Sequence, residues 1–265
     1  MKASISMASG TVARFVPDPL DERSVILEVD GAEQSHVRLE KQEEIFYEYL
    51  HRAANVIDAH FAPGRPLRAL HLGAGALTLP RRLAVTRPGS EQVVVDIERE
   101  LIGFVLKHVP LPDGAHVHQV VADAREHVQA LLEAGGPREL FDVVVLDIFT
   151  GPDSPEHLAD GGFYREMARL LGGDGLLIVN LGDDEGMRFA REQLRVLQGV
   201  FADVLATGTS ELFTTRYAGN IVAAAARTPF PGSLCEAVTA AGPHPGTTLA
   251  GTDLDGFAAQ SPGSA

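Results

Sequence analysis

Polar and apolar residues alternate along RSVILEVDG (Arg23–Gly31), a β-branched run that ends in Asp30-Gly31, a hairpin turn signal. QSHVRLE (Gln34–Glu40) supplies the return strand. From Glu43 to Phe61 the spacing changes to that of a helix, with Ile45, Tyr49, Ala53, Val56 and Ile57 on one side and Pro63 and Pro66 beyond the end. After Leu67 short apolar runs recur: Arg68–Gly73, Gln92–Asp96, His116–Asp123, Phe141–Asp147 and Gly175–Leu181. Helical stretches near 79–86, 98–108, 125–134 and 161–171 separate them. A sixth strand near Val200–Thr207 and a closing strand over Tyr217–Ala226 complete the series. Strands and helices that alternate in this way predict an α/β fold, a parallel sheet with helices on both faces. Three regions result: a small N-terminal β-hairpin region over 1–40, an α/β domain over 41–228, and a stretch over 229–265. That last window holds six Gly and five Pro and little periodic hydrophobicity, so it reads as a disordered tail.

The composition, with 45% hydrophobic and 22% charged residues in 265, suits a globular chain. Net charge is −14, which repels phosphate backbones and speaks against a nucleic-acid partner. An acidic field favours cationic small molecules, and it is also what keeps a surface solvated. The single cysteine, Cys235, excludes an internal disulfide framework and a cysteine-built zinc site. His116, His118 and His127 lack metal-ligand spacing, so no metal is predicted. The first residues hold no apolar run of signal-peptide length, and no run reaches the ~18 apolar residues of a membrane span. The expectation is a cytoplasmic protein with no membrane partner.

Chemistry in such folds gathers beyond the carboxyl ends of the strands, where the strand order reverses. Gly73 and Gly75, after the first strand, allow a tight turn and close approach to a ligand, with Thr78 or a neighbour capping the next helix and Pro80 in its first turn. Thr78 stands where a dinucleotide fingerprint wants its third glycine, which weakens an NAD reading. Asp96 ends the second strand 23 residues after Gly73 and suits a ribose diol, or a helix cap. Asp123 ends the third strand and can meet an adenine amine or cap the next helix. Asp147 ends the fourth strand, at the mouth of the sheet, where a carboxylate can act as a general base, bind a cation or cap a loop.

RSVILEVDGAEQS, ALHLGAGALTLPRRLA, VVVDIERELI, VVADARE and VVVLDIFTGPDSPEHLADGGFYREMARLLGGDGLLIVNL stand in the order seen in the spermidine synthases, the polyamine aminopropyltransferases. Over about residues 23–226 the chain resembles that family, in particular a divergent spermidine synthase-like branch of high-GC bacteria. The resemblance implies a Rossmann-like S-adenosylmethionine-transferase sheet behind a small N-terminal β segment. It implies Gln34, Gly73, Gly75, Asp96 and Asp123 as cofactor-binding residues and Asp147 as the candidate base. By that resemblance Gln34 would lie near the cofactor's sulfonium end, Asp96 would hold the ribose and Asp123 would meet the adenine amine. Departures stand beside these matches. Ala76 replaces an Asp of the glycine loop, Leu77 and Thr78 replace its last glycines, and Thr150 replaces the second Asp of the loop after the fourth strand. Phe46-Tyr47-Glu48 stands where the family has Tyr-His-Glu.

The function implied is transfer of an aminopropyl group from decarboxylated S-adenosylmethionine to a small-molecule amine, as in polyamine biosynthesis. The family also allows a homodimer. Loss of the acid at Ala76 opens a second reading, a methyltransferase that uses S-adenosylmethionine itself. The lost loop Asp and the lost His open a third, a non-catalytic adenosyl-nucleoside-binding protein.

Overall fold

The computed structural model describes residues 3–135, 140–148 and 155–260. Four antiparallel strands come first: β1 (Ala3–Ser6), β2 (Val12–Pro17), β3 (Ser24–Val29) and β4 (Ala32–Arg38), in the order β1-β2-β3-β4. The β3–β4 turn falls at Asp30 and Gly31, both with positive φ (49° and 83°), the backbone that a two-residue hairpin requires. β1 and β2 precede that hairpin and widen it to a sheet.

Helix α1 (Glu48–His60) leads into the alternating part: β5 (Arg68–Leu72), α2 (Thr78–Thr86), β6 (Glu91–Asp96), α3 (Arg99–His108), β7 (His116–Val121), α4 (Ala124–Glu133), β8 (Phe141–Leu146), α5 (Gly161–Leu170), β9 (Leu171–Asp183), α6 (Arg188–Gln198), β10 (Asp203–Thr209) and β11 (Gly219–Ala226). Residues 229–260 add α7 (Leu234–Ala241), β12 (Gly246–Ala250) and α8 (Gly251–Ala259). The large sheet runs β12-β10-β11-β9-β8-β5-β6-β7. Pairs β5–β6, β6–β7, β5–β8 and β8–β9 are parallel, while β11 runs against both β9 and β10. β6 and β7 lie to one side of β5 and β8 and β9 to the other, so the order reverses at β5.

Both faces of this sheet are covered, which is why its central strands read as unbroken apolar runs. Leu70, Leu72, Val144 and Leu146 pack with Val128, Phe163 and Leu194 from α4, α5 and α6. Ala69, Val143 and Val145 face Val56, Ile57 and Leu83 from α1 and α2. The N-terminal sheet lays Phe15, Val25 and Leu27 on α3 and on the turn after β5.

Two expectations change. The helix expected from residue 43 begins only at Glu48, because Phe46 instead stacks on the His36 ring with centroids 4.5 Å apart. The stretch 229–265, read as a disordered tail, is ordered as far as residue 260. Leu234 and Val238 of α7 pack with the α1 face, Leu254 and Phe257 of α8 pack with the opposite face, and β12 extends the sheet along β10. The apolar residues recur at i, i+3 and i+4, but over only two turns each, and the Gly and Pro residues between them are the connections. Residues 261–265 lie outside the described part.

Candidate active site

Four strand ends converge at the reversal in strand order. Gly73 follows β5 directly, and its N–H donates to Val95 of β6 (2.9 Å). Its φ is +101°, and a Cβ there would sit 2.4 Å from the Asp147 carbonyl oxygen. Gly75, also left-handed, faces the Ser35 hydroxyl, which a Cβ would approach to 2.5 Å. These glycines let the turn press between β8 and β4. The Ser35 hydroxyl accepts from the Ala76 N–H (2.9 Å) and fixes the small sheet against the turn. The helix cap differs from expectation: Leu77, in the left-handed region, precedes α2, and the Thr78 hydroxyl donates to the His36 carbonyl instead (3.2 Å).

Gln34, Gly73, Gly75, Asp96, Asp123 and Asp147 all line one cavity above this turn. Asp96 accepts the Ala74 N–H (2.9 Å) on one oxygen and the Glu98 N–H (2.8 Å) on the other, so it ties the glycine turn to the end of β6. Burial raises its pKa, against the pull of those two N–H groups. Asp123 caps α4 through Arg125 and Glu126 N–H groups, and its second oxygen meets His157 Nε2 at 3.0 Å. Burial pushes its carboxyl up, but His157 and the two N–H groups together hold it below the ordinary value. His71, buried beneath the cavity against Gln92, is pushed down to about 4 by burial and is neutral at pH 7.

Asp147 is bound differently. Asn180 Nδ2 of β9 donates to its Oδ1 (2.8 Å) and the Tyr49 hydroxyl of α1 donates to its Oδ2 (3.3 Å). Burial raises its pKa; these two donors oppose the rise. The same carboxylate raises the Tyr49 phenol, adding to a larger effect of burial. Asp147 also lines a second cavity, with Glu33, Tyr47, Asp183 and Asp184. Gln34, Tyr49, Asp147 and Ile148 form the wall common to both cavities. Among the described residues lining the two there is no lysine or arginine.

Sequence reasoning passed over Tyr49, which counted only as a position on the apolar stripe of α1. Asn180 carried a signal, as the one polar residue within the buried run LLIVNL. Ile97, next to Asp96, lines the cavity and is 68% exposed, which its place after a strand does not announce. Thr150 and Asp153 lie outside the described residues. Tyr217 is exposed just before β11. No group of three or more metal-ligating side chains occurs among the described residues.

The comparisons with known proteins agree with this architecture. No family model matches the chain. Over 142 residues it is 26% identical to a polyamine aminopropyltransferase of Neisseria meningitidis serogroup B, covering 52% of this chain and 52% of that protein. Over 133 residues it is 29% identical to an N-terminal histidine N-methyltransferase of Emericella nidulans, covering 50% of this chain and 23% of that protein. The matched part is thus about half or less of these curated relatives' length. A crystal structure of a probable spermidine synthase from Corynebacterium glutamicum superposes with a TM-score of 0.86 at 24% identity, covering 98% of this chain and 94% of that one. The chain shares the fold of that structure over almost its whole length. A spermidine synthase in complex with the transition state analogue AdoDATO superposes at 0.61, with 18% identity over 88% of this chain and 74% of that one. Human methyltransferase-like protein 13 in complex with SAH superposes at 0.60, with 17% identity over 80% of this chain and 93% of that one. The chain therefore shares its fold both with a spermidine synthase and with a methyltransferase-like protein.

Proposed function

We propose that the protein transfers an aminopropyl group from decarboxylated S-adenosylmethionine to a small amine. One observation carries this reading: Asp147 stands in the wall between a nucleoside-sized cavity and an acidic, aromatic one. In the first cavity Asp96 accepts the ribose hydroxyls, a reading supported by the lone pair that each of its oxygens keeps beyond its backbone bond. Ile97 offers an apolar flank for a purine, and Asp123 an acceptor for its amine. Gln34 and Asp147 lie at the shared wall, where the sulfonium end would reach. The second cavity, with Glu33, Tyr47 and Asp184, suits an ammonium group, which carboxylates and aromatic faces both attract. An alkyl amine with a pKa of about 10.4 is almost wholly protonated at pH 7. Asp147 binds it as the cation and takes its proton as the nitrogen attacks the carbon next to sulfur. The thioether leaves as neutral 5′-methylthioadenosine.

The lining also bears on the co-substrate. S-adenosylmethionine carries a carboxylate in its tail, and no described lysine or arginine of either cavity would pair with it. The decarboxylated form replaces that repulsion with attraction. A methyltransferase reading draws support from Ala76, which leaves the glycine turn without the family's acid, and from the N-methyltransferase relative.

The test is a side-by-side binding titration with S-adenosylmethionine, its decarboxylated form and 5′-methylthioadenosine, followed by a screen of amines for methylthioadenosine release. The expected result is tightest binding of the decarboxylated form and a rate that falls by roughly 10²–10⁴ in Asp147→Asn. Preference for the carboxylated form would move the assignment to methyl transfer, and no binding of any of the three would remove both.

A further inference from the structure

We propose that Asn220 is a positioning residue for Asp147, acting through Asn180. The reading rests on Asp147 as the proposed base, but the arrangement itself belongs to the sheet. Asp147, Asn180 and Asn220 come from three neighbouring strands, at the end of β8, within β9 and at the start of β11. Asn180 pairs directly with Val222, and Asn220 is its diagonal neighbour on the same face. Asn220 Nδ2 donates to Asn180 Oδ1 at 2.9 Å, and Asn180 Nδ2 donates to Asp147 Oδ1 at 2.8 Å.

A primary amide has one accepting end and one donating end. Once Asn220 occupies the oxygen of Asn180, the NH2 of Asn180 must face Asp147. Asn180 is 7% exposed, so water is a poor substitute for either partner. The chain of amides therefore has a direction, and that direction delivers a hydrogen to the carboxylate. The other titratable groups that line these cavities with Asp147 are Tyr49 from α1, Tyr47 just before it, Glu33 from β4, Asp183 and Asp184 at the end of β9, Asp96 and Asp123 across the first cavity, and His71 of β5, neutral at pH 7. None of these is a cation. The Tyr49 hydroxyl and the Asn180 amide are thus the groups that favour the charged form of Asp147, and Asn220 sets one of them. An acid at position 220 would accept from the Asn180 NH2 and turn the amide over. The Asn180 oxygen would then face Asp147, a contact that is favourable only when Asp147 is protonated.

The experiment is a 13C NMR titration of protein labelled at the aspartate carboxyl carbons, with the Asp147 signal assigned by its loss in Asp147→Asn. Asn220→Asp should raise the proton affinity of Asp147 by about tenfold or more, one pK unit. Asn220→Gln should stay close to wild type. Asn220→Ala, which only frees Asn180 to rotate, should give a smaller rise and serves if the acid does not fold. The double variant Asn180→Ala/Asn220→Asp, compared with Asn180→Ala, removes the chain but keeps the new charge, and should lose most of the shift. An unmoved titration in folded Asn220→Asp and Asn220→Ala, or an equal shift without Asn180, would overturn the proposal. The titration needs no substrate. Asn180-dependent shifts in a protein that transfers nothing to any amine would leave this role standing and remove the transferase reading alone. In an active protein the acid limb of the rate profile should move with the titration.

Discussion

A carboxyl group that prefers its proton in the folded state taxes the fold whenever it is ionised. Asp147 is such a group: burial raises its pKa above that of the unfolded chain. Its contribution is most favourable below the unfolded value of about 3.9 and is lost as pH rises through the higher folded value. Asn has the shape of the protonated form. Asp147→Asn should therefore raise the melting temperature near pH 7, by roughly 2–4 °C for each kcal/mol recovered, while it lowers the proposed amine transfer by roughly 10²–10⁴. The gain should disappear below about pH 4. Calorimetry at both pH values checks this, and an equal gain at both would show that charge is not the cause. Asp96 has a further task, since its oxygens hold Ala74 and Glu98 backbone N–H groups. Asp96→Ala should weaken 5′-methylthioadenosine binding by about 1.5–3 kcal/mol per charged hydrogen bond lost. It should also loosen the glycine turn, visible as faster amide exchange at Gly73–Ala76. Unchanged affinity in isothermal titration would reduce Asp96 to a cap.

At the scale of elements, the strands from β5 to β9 were legible because β6, β8 and β9 are apolar runs with β-branched residues, and each run from β5 to β9 is closed by an aspartate or glycine. The strand-end rule then found Gly73, Asp96, Asp123 and Asp147, and the coordinates bring those four to one cavity. Contacts between distant elements were not legible. Tyr49 reaches Asp147 across 98 positions, and His157 reaches Asp123 across 34, with nothing local to announce either. The C-terminal elements were missed because two-turn helices among glycines and prolines carry too few periods to stand out. Leu234, Val238, Leu254 and Phe257 are nonetheless buried. Each is worth about 1.5–3 kcal/mol, so together they rival the ~5–15 kcal/mol of net stability in a typical domain. Ending the chain after residue 229 would also strip partners from buried Arg52 and Asn55, which donate to Pro243 and Gly242 carbonyls. The shortened chain should fail to give a cooperative melt or a monomeric peak in gel filtration. A melting temperature within error of the full chain would contradict the packing described.

For the molecule as a whole, the net charge of −14 and the acidic lining of both cavities act in one direction. Clefts of one sign concentrate counter-ions and speed their arrival, an effect that salt screens over about 10 Å at 0.1 M. The KM of an amine acceptor should therefore rise with sodium chloride between about 10 mM and 300 mM, where the screening length shortens severalfold. Binding of uncharged 5′-methylthioadenosine should stay flat over the same range. Steady-state kinetics and calorimetry separate the two, and an amine KM indifferent to salt would argue against electrostatic capture.

The hydrogen bond from Arg52 to the Pro243 carbonyl joins residues 191 positions apart. Helix α1 leaves the ribosome 191 residues before that carbonyl is made, so the buried Arg52 guanidinium must wait for this partner. At ~5–20 residues per second that interval lasts roughly 10–40 seconds. During it, β10 has no neighbour on its outer side, and the apolar stripe of α1 lacks its cover from α7. Synthesis thus exposes an open strand edge beside an unfilled apolar face until α7 and β12 have been made.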